Sequence, residues 1–335
     1  MSDKRRPLAE AITSIPDGSI LALGGNTLHR GPGAAVHELV RQGKRDLELV
    51  KTAGAYDIDL LCAAGCARAV SAGFIGYETP FGMAQAYRTA VEQGRVEAKE
   101  HACATVIAGL RAAIQGVPFM PVAGLQGSAL PAARGFARVP DPYSDAEVYV
   151  IPALMPDVAL IHVQEADAEG NGRIIGTRFE DVLMAQAARR VILTAERIVD
   201  GESFTASPET VAIPGFLVEA VVEAPGGAWP FSCTPDYSYD ADYLERWVRV
   251  ARDPEAAHAF INYMMRPEVA AANSNFVHYA NGNAASVPLI DPAVHNDPGV
   301  YPPKETMDKL FPNLARTAEF TRQMNRTWTR FTTGK

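Results

Sequence analysis

Short apolar runs and amphipathic stretches alternate along the first two thirds of the chain. SILALGG (19–25) has the form of a buried strand ending in glycines. AAVHELVRQG (34–43) carries its apolar positions at helical spacing, and Gly43 stops it. LELVKTAG (47–54) is again a strand, followed by VSAGFIG (70–76), VPFMPVAG (117–124), VYVIPAL (148–154), VALIHVQEAD (158–167) and RVILTAERI (190–198). Between them, ETPFGMAQAYRTAVEQG, HACATVIAGLRAAIQG and TRFEDVLMAQAARR have helical periodicity. Strands alternating with crossover helices predict an α/β fold with an open, mostly parallel sheet. In such sheets ligands sit beyond the carboxyl ends of the strands, so the loops there are where chemistry is sought.

Past residue 248 the pattern changes. In VRVARDPEAAHAFINYMMRPEVAA (248–271), Ala257, Phe260, Ile261 and Met264 recur at helical spacing until Arg266-Pro267 ends the run, and the remaining residues predict a mainly helical and irregular tail. At 335 residues and 47% apolar content the chain can bury a large core and form two domains. A net charge of −8 leaves no basic footprint for nucleic acid or an anionic membrane. No apolar stretch approaches the roughly 20 residues that span a bilayer. The N-terminal MSDKRRPLAEAITSIPDGS lacks the apolar core of a secretory signal, so a cytoplasmic protein is expected. Cys62 and Cys66 are spaced C-x-x-x-C, and with Cys103 and Cys233 they complete no tetrahedral Cys/His set, so no metal is expected.

The first strand exits into GGNTLHRGP. Gly24 and Gly25 let the backbone approach a ligand, Asn26 comes next, and Arg30 offers positive charge. The loop has neither a P-loop nor a dinucleotide fingerprint, and alone it serves equally well as a turn. DGSILALGGNTLHRGP (17–32), however, resembles the N-terminal signature of the α chain of family I CoA-transferases, with Asn26 where Phe is usual and Arg30 where Gly is usual. IHVQEADAEGNGRIIG (161–176) resembles that family's His-x-x-x-Ala-Asp-x-x-Gly-Asn block. IPGFLVEAVVEAPGGAWPFSCTPDYSYDADYLERWV (213–248) looks like the end of the glutaconate CoA-transferase α chain and its relatives. The three occur in the family's order and cover about residues 5–255, which sets a first domain at 1–255.

The resemblance implies a reaction, the movement of coenzyme A from an acyl-CoA substrate to a free carboxylate, with no permanently bound cofactor. It implies a glutamate nucleophile in a Ser-Glu-Asn-Gly motif of a β chain. This chain contains no such motif, so no catalytic residue is assigned to it, and an α2β2 assembly with a β subunit is expected. The α chain's share of the pocket falls in EAKEHACATVIAGLRAA (97–113), giving Glu100, His101 and Cys103 as candidates. Cys103 stands where ketoacid transferases carry an oxyanion-donating Gln and the related steroid-ring-opening hydrolases carry a Glu. A thiol is a poor donor, which disfavours the hydrolase role. Ser128, in VAGLQGSALP (122–131), is the candidate donor to the acceptor carboxylate; Gly24, Gly25, Asn26 and Arg30 complete the oxyanion and substrate pocket. Each has a plainer reading: Cys103 as a small helix-start residue, Glu100 and His101 as capping groups, His162 as a satisfied core histidine, and Asp167, Gly170 and Asn171 as a turn.

Residues 256–335 resemble instead the C-terminal segment of periplasmic polyamine-binding proteins, through FINYMMRPEVAA (260–271), YANGNAA (279–285), PLIDPAVHNDPGVYPP (288–303) and TWTRF (327–331). Tyr279 falls where those proteins place a tyrosine in the polyamine cleft. The upstream carboxylates and aromatics of that cleft are missing, and one aromatic makes no cation site. The alternative to the enzyme subunit is therefore a fusion whose tail makes it non-catalytic or small-cation-binding.

Overall fold

The computed structural model describes residues 3–251 and, beyond them, 266–277, 284–298, 300, 301 and 303. The chain divides into two compact units, residues 1–252 and 253–335. In the first, strands β1 (Ile20–Leu23), β2 (Leu47–Gly54), β3 (Ala67–Ile75) and β4 (Glu97–Glu100) run outward from the middle of one parallel sheet. The chain then forms β5 (Phe119–Val122), β6 (Arg138–Pro140) and β7 (Glu147–Pro152) before returning to the far side of β1. There β8 (Val158–Ala166), β10 (Arg190–Ile198) and β11 (Val218–Glu223) complete the order β11-β10-β8-β1-β2-β3-β4, while the two-residue β9 (Gly172–Arg173) pairs antiparallel with β8. Strand order therefore reverses between β1 and β8, the place where such sheets leave a crevice.

Alternation along the central strands explains the layers. Leu21, Leu23 and Leu49 pack with Val36, Leu39, Ile58 and Leu61 from helices Gly33–Arg41 and Tyr56–Ala63. Ala22, Val50 and Ile161 point to the other face, against Val106, Leu110 and Met184 from helices Cys103–Gln115 and Asp181–Ala187. All eight residues of β2 are buried, as a strand covered on both faces requires.

Three differences from the expected pattern have physical causes. VPFMPVAG and VYVIPAL lie outside the parallel sheet: β5, β7 and β6 form a separate antiparallel sheet, whose Pro121 and Pro140 a central strand would not tolerate. The run 78–94 is not one helix but two, Glu78–Phe81 and Gln85–Glu92, because Glu78 (φ 58°) and Gly82 (φ 79°) take left-handed backbone. The charged EAKE is strand β4, the sheet's edge, where charge guards an unpaired row of backbone groups.

In the second unit, helix Pro267–Val277, a 3-10 stretch Ala284–Leu289 and the short helix Pro292–His295 share a small cluster of Ala271, Ile290 and Val294 with Val300 and Tyr301. Asp291 caps that short helix by accepting from Ala293 N at 2.8 Å. The 255–265 segment and Tyr279 lie outside the described residues. Among the described residues no helix is long and apolar enough to cross a membrane.

Candidate functional site

The loop after β1 is gripped from both faces of the sheet. A Cβ on Gly24 would lie 2.4 Å from Asp181 Oδ1; Gly25 (φ 72°) would bring one within 2.4 Å of His29 O. Both positions therefore require glycine. On one side Gly25 N donates to Asp181 Oδ1 (3.0 Å), and Arg30 makes a two-pronged ion pair with the same carboxylate, Nη1 at 3.1 Å and Nη2 at 2.9 Å. On the other, fully buried Lys51 donates to Gly24 O at 2.8 Å and pairs with buried Asp57, whose carboxylate also accepts from Ala55 N and Ile58 N. Buried ion pairs hold only when each partner is fully bonded, and both of these are close to it. The charge of Arg30 is thus matched by Asp181 inside the protein, so Arg30 is first a fastener of the loop.

Asn26 exchanges backbone hydrogen bonds with His29 (2.9 and 2.8 Å) and sends Nδ2 to Thr52 Oγ1 at a long 3.5 Å. Thr52, at the carboxyl end of β2, donates to Glu180 Oε2 at 2.6 Å, and its carbonyl accepts from Cys103 Sγ at 3.4 Å. Asn26, Thr52, Cys103 and Glu180 thereby converge where β1 and β2 end and two helices begin. Gly73 makes the approach possible, since a Cβ there would lie 2.4 Å from Cys103 N. Cys103 is exposed at the surface; partial burial and then the charge of Glu180 push its thiol up. It is a protonated thiol at neutral pH and a weak nucleophile. Thr52 and Glu180 escaped the sequence because no spacing links them. The available signal was an acid immediately before the helix in TRFED.

Glu100 ends β4, and His101 continues the pairing by donating to Ala72 O at 3.0 Å. His101 Nδ1 bonds Thr105 Oγ1 at 2.9 Å, and that same oxygen accepts from Ala102 N at 3.0 Å, which caps the helix. Burial, helped by Arg134 and Lys99 and opposed by Glu48, pushes the imidazole down to about 4. Glu100 and His101 line a cleft of about 380 Å³ with Gly73, Phe74, Tyr87 and Leu130. Ser128 Oγ accepts from Leu130 N at 3.1 Å, just ahead of the short helix Leu130–Arg134, whose first residue lines that cleft. Adjoining it is an apolar hollow of about 490 Å³ walled by Phe74, Ile75 and Met83, with Phe74 47% and Met83 48% exposed.

His162 is fully buried in β8, with Thr194 Oγ1 on Nδ1 and Glu196 Oε1 on Nε2, both at 2.8 Å. Burial lowers the imidazole, which stays neutral. Burial also works against the Glu196 anion, but donors from His162, Tyr237 and Gly226 N prevail and hold the carboxyl at about 2. With Cys233 these two form the one group among the described residues whose ligand atoms, all within 4.8 Å, suit a metal. Both imidazole nitrogens and both carboxylate oxygens already have hydrogen-bond partners, however, so the group is a satisfied core network. Asp167 accepts from Glu169 N and Asn171 N, and Gly170 sits at φ 97°, making that segment the turn its residues suggest.

A coenzyme A transferase family model matches residues 6–224. The chain is 34% identical over 271 residues to a glutaconate CoA-transferase subunit from Acidaminococcus fermentans, covering 76% of this chain and 85% of that protein. It is 36% identical over 263 residues to an uncharacterized protein of Archaeoglobus fulgidus, covering 78% of this chain but only 59% of that protein's length. The crystal structure of glutaconate coenzyme A-transferase from Acidaminococcus fermentans superposes with a TM-score of 0.72 at 32% identity, over 78% of this chain and 88% of that one. A stretch of 87 residues is 46% identical to the putrescine-binding periplasmic protein SpuD of Pseudomonas aeruginosa, covering 25% of this chain and 23% of that protein.

Proposed function

We propose, from the premise that this chain belongs to the coenzyme A transferase family, that it is the α subunit of a heteromeric acyl-CoA:carboxylate CoA-transferase. The observation that carries the reading is a family match over residues 6–224 in a chain with no Ser-Glu-Asn-Gly nucleophile of its own. The missing glutamate comes from a β subunit, in an α2β2 assembly. That glutamate attacks the thioester of the acyl-CoA, and the anhydride so formed passes through a glutamyl-CoA thioester before the acceptor acid reverses the steps.

The α chain contributes walls and donors. Asn26 Nδ2, weakly held at 3.5 Å from Thr52, is a side-chain N–H able to turn toward an oxyanion, and the start of helix Cys103–Gln115 adds its positive end. The protonated thiol of Cys103 takes no covalent part. The half-exposed Phe74 and Met83 rim supplies the apolar surface on which the β subunit closes the site. Residues 256–335 do no chemistry in this reading.

The test is a CoA-transfer assay on the full chain with and without a matched β subunit, using glutaryl- or glutaconyl-CoA and acetate. The expected result is acetyl-CoA formed only in the mixture, with total thioester conserved. Accumulation of free CoA would make the pair a hydrolase. Silence in both arms, with the two chains shown to associate, would overturn the transfer reading for these acids.

A further inference from the structure

Transfer of coenzyme A between carboxylates moves an acyl group and electron pairs but no proton, so a free carboxylate beside the reacting atoms has no part in it. Glu180 is such a group. The charges around it are already matched, Arg30 with Asp181 and Lys51 with Asp57, whereas Glu180 has no ion pair among the described residues. Its Oε2 accepts from Thr52 Oγ1 at 2.6 Å, and its Oε1 has no hydrogen-bond partner among the described residues. Glu180 precedes helix Asp181–Ala187, a place where an acid ordinarily caps the first turn, yet its side chain makes no such bond. The side chain reaches instead to the end of β2, to a residue 128 positions earlier.

The same hydroxyl oxygen lies 3.5 Å from Asn26 Nδ2. An amide donor and a carboxylate therefore meet on one threonine and cannot stand farther apart than those two contacts laid end to end. A thioester carries its carbonyl oxygen and its α-carbon on one carbonyl carbon, so two groups this close can serve both atoms of a single acyl group. Removal of a proton next to a carbonyl needs that pair: a base within reach of the proton, and a donor where the enolate oxygen develops. The neighbouring thiol does not compete as the base. Partial burial and then the charge of Glu180 push Cys103 up, and it stays protonated at neutral pH.

We infer that Glu180 is a general base and that the site enolises acyl-CoA thioesters, exchanging their α-hydrogens with solvent. Glu180 Oε1 takes a proton from the α-carbon. The C–H electron pair forms the carbon–carbon double bond of the enolate, and the carbonyl π pair moves to oxygen, where Asn26 Nδ2–H donates. The carboxylic acid so formed trades its proton with water, and return of a solvent proton to carbon restores both thioester and carboxylate. The balance needs water alone as co-reactant. The substrate class is an acyl-CoA with at least one α-hydrogen. The inference rests on the transferase reading for where the thioester lies, against Asn26, and adds an activity that transfer does not use.

The test incubates the full-length chain and a matched β subunit with glutaryl-CoA in D2O, without an acceptor acid. Deuterium in the recovered thioester is read by mass spectrometry, and transfer to acetate is assayed in parallel. Deuterium should enter the α-methylene faster than in the absence of protein. Glu180→Gln, whose amide oxygen can still accept from Thr52, should slow exchange at least about a hundredfold. Glu180→Asp keeps a carboxylate and should retain more of the exchange. Thr52→Val leaves the carboxylate unheld and should cost about tenfold. Tyr143→Ser, at a residue 95% exposed, should change nothing. Where Glu180→Gln fails to fold, Glu180→Asp and Thr52→Val decide. Exchange no faster than without protein, or untouched by these substitutions, would overturn the proposal. So would free CoA released by the native pair and lost in Glu180→Gln with no deuterium in the thioester, since the carboxylate would then be activating water. Transfer without exchange sinks this inference alone, and exchange without transfer leaves it standing while the transfer reading fails.

Discussion

His101 shows how one side chain can report on the whole site. Its imidazole is held down at about 4, whereas the same group in an unfolded chain titrates near 6.5. Between those values the unfolded chain takes up a proton that the folded chain refuses, so stability falls as pH drops from about 6.5 to about 4 and is level above. The slope should stay under about 1.4 kcal/mol per pH unit, because the ring is partly wetted. Melting temperatures against pH should show this limb in the native chain, and His101→Asn, which can keep a bond to Thr105, should flatten it. An unchanged limb in the variant would assign the slope to other groups. Arg30 teaches a different lesson at the same scale. Its place in the loop after β1 was legible from the sequence, but its partner Asp181, 151 residues on, was not, and that partner turns an expected free cation into a fastener of the loop.

At the scale of elements, what the sequence revealed depended on how much the core imposed its own pattern. β2 and β10 span 47–54 and 190–198 as their unbroken runs indicate, because strands buried on both faces have no polar side to blur their ends. β4 was hidden by its charges: Glu97 and Glu100 are exposed and Ala98 and Lys99 half-buried, so an edge strand carries little hydrophobic signal. The meeting of Thr52 with Glu180 depends on two elements far apart in the chain, and no local spacing encodes it. Gly73 lets the neighbouring helix start, at Cys103, come close to β3. Gly73→Ala would set a methyl 2.4 Å from Cys103 N, so either β3 or the start of helix Cys103–Gln115 must move. We expect a loss of about 1–3 kcal/mol, as for other overpacked sites, read by chemical denaturation. Alkylation of Cys103 should quicken as its contact with Thr52 opens. A variant as stable as the native chain would mean that the two elements separate freely.

For the whole molecule, the sharpest question is what residues beyond 251 do to assembly. The last helix of the first unit, Ala241–Ala251, is well seated: Leu244 and Val248 are buried, and Trp247 donates to Asp59 at 2.9 Å beside Tyr77. A chain ending at Ala251 keeps all of these contacts. It should fold, associate with the β chain just as the full-length protein does, and match its transfer rate per site. Size-exclusion chromatography of the two mixtures checks this, and assembly gained only on truncation would identify the tail as an obstruction. The sheet order carries a consequence for synthesis. β1 is both the first strand made and the middle of the finished sheet, flanked by β2 and β8. A nascent chain that has left the ribosome only as far as β4 presents one bare flank of β1, edged by Leu21 and Leu23, until Val158–Ala166 emerges. Such long-range parallel pairing is slow and exposes apolar strand to other chains, so this protein should depend on chaperones most while its second half is still being translated.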